Sequence, residues 1–138
     1  MKSLLLVDDE AVICVEFERT LELLGYRVEI AHSFESALNC YSRAPFDAIL
    51  VEFNVRLECR TYPRAGKGIK LVRQMRAIDV AVPILMFTAM EGELYETTSF
   101  DAGADDFISK TGSFPSFLSR LRAHIERSDR LKSIHSEK

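Results

Sequence analysis

The chain has 138 residues, enough for one domain with a real core and too few for two ordinary ones. Its 47% hydrophobic and 28% charged residues exclude a disordered chain and a membrane-embedded one. A net charge of −3 gives no electrostatic reason to expect binding to nucleic acid or to an anionic membrane.

Met1-Lys2-Ser3 leads directly into Leu4-Leu5-Leu6-Val7, too short for a signal-peptide core and without a small-residue cleavage site, so a cytoplasmic protein is expected. The apolar run of residues 3–7 is short and continuous, the mark of a strand buried on both faces of a parallel sheet. From Ala11 to Leu24, apolar Val12, Val15, Leu21 and Leu24 recur at helical spacing, and Gly25 is placed to cap the helix. A second strand is predicted over Arg27 to Ala31, and Ser33 is an N-cap for a helix running to about Ser42.

Pro45 interrupts the chain, and Phe46 to Val51 reads as a third strand. Glu52 to Ala65 has no usable period. A helix then spans Gly68 to Ala77 with Ile69, Leu71, Val72 and Met75 as its apolar members. A strand over Pro83 to Phe87, a helix over Glu93 to Ala102 and a short strand over Asp106 to Ser109 follow. Pro115, at a first helical position, opens a helix with the stripe Phe117, Leu118, Leu121 and Ile125. Residues 1–127 form the expected domain; 128–138 are a polar tail or a frayed extension of that helix, with only Leu131 and Ile134 apolar.

Alternation of this kind implies a doubly wound α/β fold with a five-stranded parallel sheet and right-handed crossovers. In such folds ligands bind beyond the carboxyl ends of the strands. Asp8 and Asp9 follow the first strand, Glu52 the third, Thr88 the fourth and Lys110 the fifth, so all five are expected on one rim. Three carboxylates there require a divalent cation, a lysine or protonation to coexist, and hard oxygen donors suit Mg²⁺. Each residue alone reads as a helix cap or a solvated charge; their joint placement is what carries the signal.

The segments Leu5-Leu6-Val7-Asp8-Asp9-Glu10, Phe46-Asp47-Ala48-Ile49-Leu50-Val51-Glu52, Phe87-Thr88-Ala89 and Ile108-Ser109-Lys110 resemble the four signatures of two-component response-regulator receiver domains, over about Lys2 to Arg127. The resemblance implies a flavodoxin-like fold with strand order 2-1-3-4-5. It implies a weakly held Mg²⁺ on Asp8, Asp9, residue 52 and the carbonyl of Asn54. It further implies Thr88, Phe107 and Lys110 as switch residues, and protein partners such as a histidine kinase or an effector. No enzymatic activity of its own is expected, and the oligomeric state stays open between monomer and weak dimer.

Three departures stand out. The phosphoacceptor position holds Glu52 instead of aspartate, the segment from Glu52 to Gly68 is longer than the family's usual loop, and Thr111 replaces a proline that usually follows a cis bond. Because a cis bond before a non-proline residue costs about 2.5–4 kcal/mol, a trans Lys110–Thr111 bond is expected. Glu52 extends its carboxylate by one carbon–carbon bond, roughly 1.5 Å, enough to mimic part of a phosphate and to reach Thr88 and Lys110.

Phosphorylation is therefore read as lost or mimicked, in a module acting through protein binding. The signalling face would comprise the fourth helix, fifth strand and fifth helix, with Phe107 turned inward. An ordinary receiver with an aspartate replaced by design is the alternative; the loop and Thr111 favour natural divergence. A Mg²⁺-dependent phosphatase is a remote third reading that lacks a second acid/base.

Within the long segment, Arg56, Arg60, Arg64 and Lys67 face Glu58 alone, with Tyr62-Pro63 as an aromatic anchor. It reads as a solvated loop or as a basic docking patch. Of the three cysteines, Cys14 and Cys40 are predicted core fillers, and Cys59 lies in that loop.

Overall fold

The computed structural model describes residues 1–54 and 67–136. Along the chain run β1 (Ser3–Val7), α1 (Ala11–Leu23), β2 (Arg27–Ala31), α2 (Phe34–Arg43), β3 (Ala48–Val51), α3 (Lys67–Ile78), β4 (Ile84–Thr88), α4 (Glu93–Ala102), β5 (Asp106–Ser109) and α5 (Phe114–Ser136). The five strands are parallel, in the order β2-β1-β3-β4-β5. The predicted architecture is therefore the observed one.

Strand alternation sorts the core onto two faces. Leu5, Val7, Ile49, Val51, Ile84 and Met86 point to one face and pack with α2 and α3 residues such as Ala37, Leu71, Val72 and Met75. Leu4, Leu6, Leu50, Leu85 and Phe87 point to the other and meet Cys14 and Leu21 of α1 and Phe117, Leu121 and Ile125 of α5. Both faces are covered, which is why the central strands β1, β3 and β4 read as nearly continuous apolar runs, whereas the edge strands β2 and β5 admit Arg27, Glu29, Asp106 and Ser109.

Several boundaries follow from hydrogen bonding. Pro83 has no N–H to give the ladder and stays outside β4, although its carbonyl accepts from Ile49 N–H at 2.9 Å. Thr88 joins β4 because it pairs with Ser109. Ser33 caps α2, its hydroxyl accepting from Ser36 N–H at 3.1 Å, and Gly25 takes φ +96° just past α1. The last helix opens at Phe114, one residue before Pro115, with Ser113 Oγ accepting from Ser116 N–H at 3.3 Å.

The core stripe of α1 differs from the prediction. Cys14, Phe17 and Leu21 face the sheet, whereas Val15 and Leu24 are 49% and 43% exposed; the Val12 side chain lies outside the described ones. Residues 128–136 continue α5, with Ser128 buried and Lys2 Nζ donating to Asp129 Oδ2 at 2.5 Å. No peptide bond among the described residues is cis, so Lys110–Thr111 is trans, and Thr111 N–H turns back to Ser109 Oγ at 3.2 Å. No helix among the described residues is long and apolar enough to cross a membrane.

Gly68 decides how the long segment leaves and rejoins the fold. Its N–H donates to Phe53 O at 2.9 Å, and a Cβ built on it would lie 2.1 Å from Glu52 O. The first turn of α3 thus rests directly on the backbone at the end of β3. Residues 55–66, which include Arg56, Glu58, Cys59, Arg60, Tyr62, Pro63 and Arg64, lie outside the described residues.

Candidate functional site: an acidic rim closed by Lys110

Register builds the site. Val7 pairs with Val51, and the ladder carries on one step further, with Glu52 N–H donating to Val7 O at 2.9 Å and Asp8 N–H to Ala31 O at 3.0 Å. On the other side Thr88 pairs with Ser109, and Lys110 N–H donates to Thr88 O at 2.9 Å. Asp8, Glu52, Thr88 and Lys110 are thereby held by backbone bonds at the carboxyl edge of four adjacent strands.

Their side chains are largely buried. Lys110 Nζ donates to Asp8 Oδ2 at 2.5 Å and to Glu52 Oε1 at 3.1 Å, with side-chain exposures of 9%, 2% and 9% for the lysine, the aspartate and the glutamate. The remaining carboxylate oxygens are also engaged: Asp8 Oδ1 accepts from Glu10 N–H at 3.0 Å, and Glu52 Oε2 from Phe53 N–H at 2.6 Å. Burial alone would push the Lys110 pKa down, but the hydrogen bond and charge of Asp8, joined by Glu52, outweigh it and raise the pKa above its ordinary value. The ammonium also lies 5.9 Å from the centroid of the Phe87 ring.

Thr88 is fully buried, and its Oγ1 accepts from Met90 N–H at 3.2 Å. Among the described residues, the partners of the Glu52 carboxylate are Lys110 and the Phe53 N–H, so its extra reach is directed to the lysine and not to the threonine. Phe107 is half-buried and packs against the core on the α2–α3 face of the sheet.

Asp8, Glu10 and Glu52 each place a carboxylate oxygen within 4.8 Å of the others. Glu10, exposed at the rim, was not among the residues expected to bind metal, although it directly follows the acidic pair. The half-buried Asp9 is outside that group of three. His32 is a second addition. Its Nδ1 lies 3.0 Å from Asp8 O, and since a carbonyl only accepts, that nitrogen carries the proton. Cys14 backs the same carbonyl, its Sγ donating at 3.7 Å; burial, then the nearby Asp8 charge, pushes this thiol up to about 12 and leaves it a packing group.

A family model, the response regulator receiver domain, matches residues 4–122. The chain belongs to that family. The response regulator MprA of Mycobacterium avium (strain 104) is 32% identical over 124 residues, which are 90% of this chain and 51% of MprA. The receiver here thus spans about half the length of the curated relatives it matches.

Two solved structures illustrate the likeness. A CheY-like receiver domain protein from Methanospirillum hungatei JF-1 has a TM-score of 0.81 at 23% identity, covering 94% of this chain and 98% of that one. The non-phosphorylated HemR receiver domain from Leptospira biflexa has a TM-score of 0.76 at 30% identity, covering 91% and 94%. Receivers are signalling modules of two-component systems that interact with histidine kinases or effectors, and they typically bind Mg²⁺ at an acidic site. The donor set of this receiver fits such an ion: hard oxygens of two buried carboxylates and the exposed Glu10 converge, and their negative charge exceeds what Lys110 supplies.

Proposed function

We propose that this receiver signals through protein binding without holding a stable phosphoryl group at residue 52. One observation carries the reading. The Glu52 carboxylate occupies the site already, one oxygen on Lys110 Nζ and the other on Phe53 N–H. In-line phosphoryl transfer depends on positioning, and a displacement of about 1 Å can cost on the order of 100-fold. The added methylene displaces the carboxylate by more than that, roughly 1.5 Å.

Glu52 then stands in for part of a phosphate's charge, one unit against nearly two. The mimicry is selective. It engages Lys110 and leaves Thr88 to the Met90 N–H, so the bias toward an active-like state acts through β5 rather than through β4. The partner-facing surface is that of α4, β5 and α5, which carries Phe107. Mg²⁺, where bound, would be held by Asp8, Asp9, Glu52 and the carbonyl of Asn54, with Glu10 at the rim, and would supply charge neutralisation.

The test is incubation with acetyl phosphate and Mg²⁺ followed by mass spectrometry. We expect no gain of a phosphoryl group in the wild type and labelling restored in Glu52→Asp. Near-stoichiometric label mapped to Glu52 would overturn the reading.

A further inference from the structure

We propose that a cleft at the amino edge of the sheet is a docking site for a partner segment that presents one carboxylate beside an apolar side chain. The cleft, of about 210 Å³, lies between the α3–β4 loop, the residue before β5 and the middle of α5. It sits at the opposite end of the strands from Asp8, Glu52, Thr88 and Lys110, so the inference does not depend on the chemistry at residue 52.

The pairing of charges selects an acid. Asp105, His124 and Arg127 line the cleft. Asp105 Oδ2 accepts from Arg76 at 2.6 Å and from Ile84 N–H at 2.9 Å. His124 Nε2 donates to Asp106 Oδ2 at 3.1 Å, and Arg120 donates to the other oxygen of that carboxylate at 3.0 Å. Arg127, by contrast, is exposed and has no hydrogen-bond or ion-pair partner among the described residues. The sequence explains why: its helical neighbours three and four positions away are Ala123, His124, Arg130 and Leu131, none of them acidic. With the built pairs set aside, the cleft keeps one uncompensated guanidinium, whose forked donors suit a carboxylate.

Apolar groups and a hydroxyl describe the rest of the occupant. Val80, Pro83 and Leu131 also line the cleft, and Val80 and Leu131 are 86% and 49% exposed. A small inorganic anion on Arg127 would leave them in water, whereas a segment with an apolar side chain covers them. Ser128 adds a donor to the cleft wall. It is buried, and its hydroxyl has no partner among the described residues. Other helical hydroxyls in this chain donate to a carbonyl one turn back, Thr20 to Glu16 O at 3.0 Å and Ser99 to Tyr95 O at 2.7 Å. The Ser128 hydroxyl, held by no such bond, is free to turn about its Cα–Cβ bond and donate to an oxygen of the occupant.

The test is a nuclear magnetic resonance titration of the whole chain with acetyl-Gly-Ser-Leu bearing a free carboxylate. The amides of Ala81, Ser128 and Leu131 should shift saturably. The amidated peptide, and acetyl-Gly-Ser-Ser with a free carboxylate, should each bind at least about fivefold more weakly. Arg127→Gln should lose a similar factor. Arg130→Gln makes the same change in net charge at a residue outside the cleft and should lose clearly less. Ser128→Ala should bind more weakly yet melt no lower than wild type, because nothing within the described protein uses the hydroxyl. Five results would overturn the proposal: no saturable shift, equal affinity for carboxylate and amide, equal losses in Arg127→Gln and Arg130→Gln, undiminished binding by Ser128→Ala, or the same amides shifting with protein concentration alone, which would make a second copy the occupant.

Discussion

Replacing Gly68 with alanine drives a methyl group into the backbone that presents Glu52. The new Cβ would lie 2.1 Å from Glu52 O, 2.8 Å from Phe53 O and 3.0 Å from Glu52 C. Ordinary carbon–oxygen contacts begin at about 3.3 Å, so α3 and the end of β3 must separate by roughly 1 Å. Both clashing oxygens belong to the main chain, and no side-chain rotation relieves them. Alanine would gain up to about 1 kcal/mol over glycine from helix propensity, less this close to the helix start. Overpacking against backbone costs about 1–3 kcal/mol or more, and the Gly68 N–H to Phe53 O bond is strained as well.

The net expectation is a loss of about 1–2 kcal/mol in urea unfolding, or roughly 3–8 °C in melting temperature for a chain of this size. Gly25→Ala is the control: φ there is +96° but nothing lies within 4 Å of a built Cβ. It should cost roughly 1 kcal/mol from left-handed strain alone and leave the site untouched. Gly68→Ala should also perturb the Glu52 and Lys110 resonances, because the displaced carbonyl belongs to Glu52. A Gly68→Ala protein as stable as wild type, with unchanged resonances at the rim, would refute the packing argument.

Two further outcomes follow from charged groups away from the rim. Arg76 donates to Gly103 O at 2.9 Å, Val82 O at 2.7 Å, Asp79 O at 3.3 Å and Asp105 Oδ2 at 2.6 Å, tying α3 to the α3–β4 and α4–β5 loops. Arg76→Ala leaves those carbonyls without their donor and should cost about 2–3 kcal/mol in chemical denaturation; a loss below about 0.5 kcal/mol would mean water replaces the guanidinium. Asp79 accepts from the N–H groups of Ala81 and Val82 and from the Tyr41 hydroxyl. Burial acts to raise its pKa, but these donors and the Arg76 charge together lower it below the ordinary 3.8. Its contribution is therefore present at neutral pH and disappears as the pH falls through the lowered value. Asp79→Ala should melt below wild type at pH 7, by about 1 kcal/mol, and the two curves should converge in strong acid; a gap that widens on acidification would contradict the assignment.

The architecture was legible because its signals are local. The bounds of β1, β2, α4 and β5 coincide with those read from apolar runs and turn residues, signals that act over a few neighbouring positions. Placing Asp8, Glu52, Thr88 and Lys110 on one rim needed only the rule that such sheets bind at their carboxyl edge. The α1 stripe was less legible: alternatives such as Val15 and Phe17 both fit a helical period, and only the aromatic cluster of Phe87, Phe114 and Phe117 selects Phe17.

What the tertiary structure decided is how the rim is wired. The sequence already determined that three or four acids and one lysine share a crevice, because strand order and strand ends are set by hydrophobic pattern. It could not determine that Glu52 turns to Lys110 and not to Thr88, that Glu10 joins the acids, that His32 braces the Asp8 carbonyl, or that Gly68 seals the base of the long segment. Those choices depend on a few tenths of an ångström between side chains from elements up to 102 residues apart, and a one-dimensional pattern carries no record of such distances.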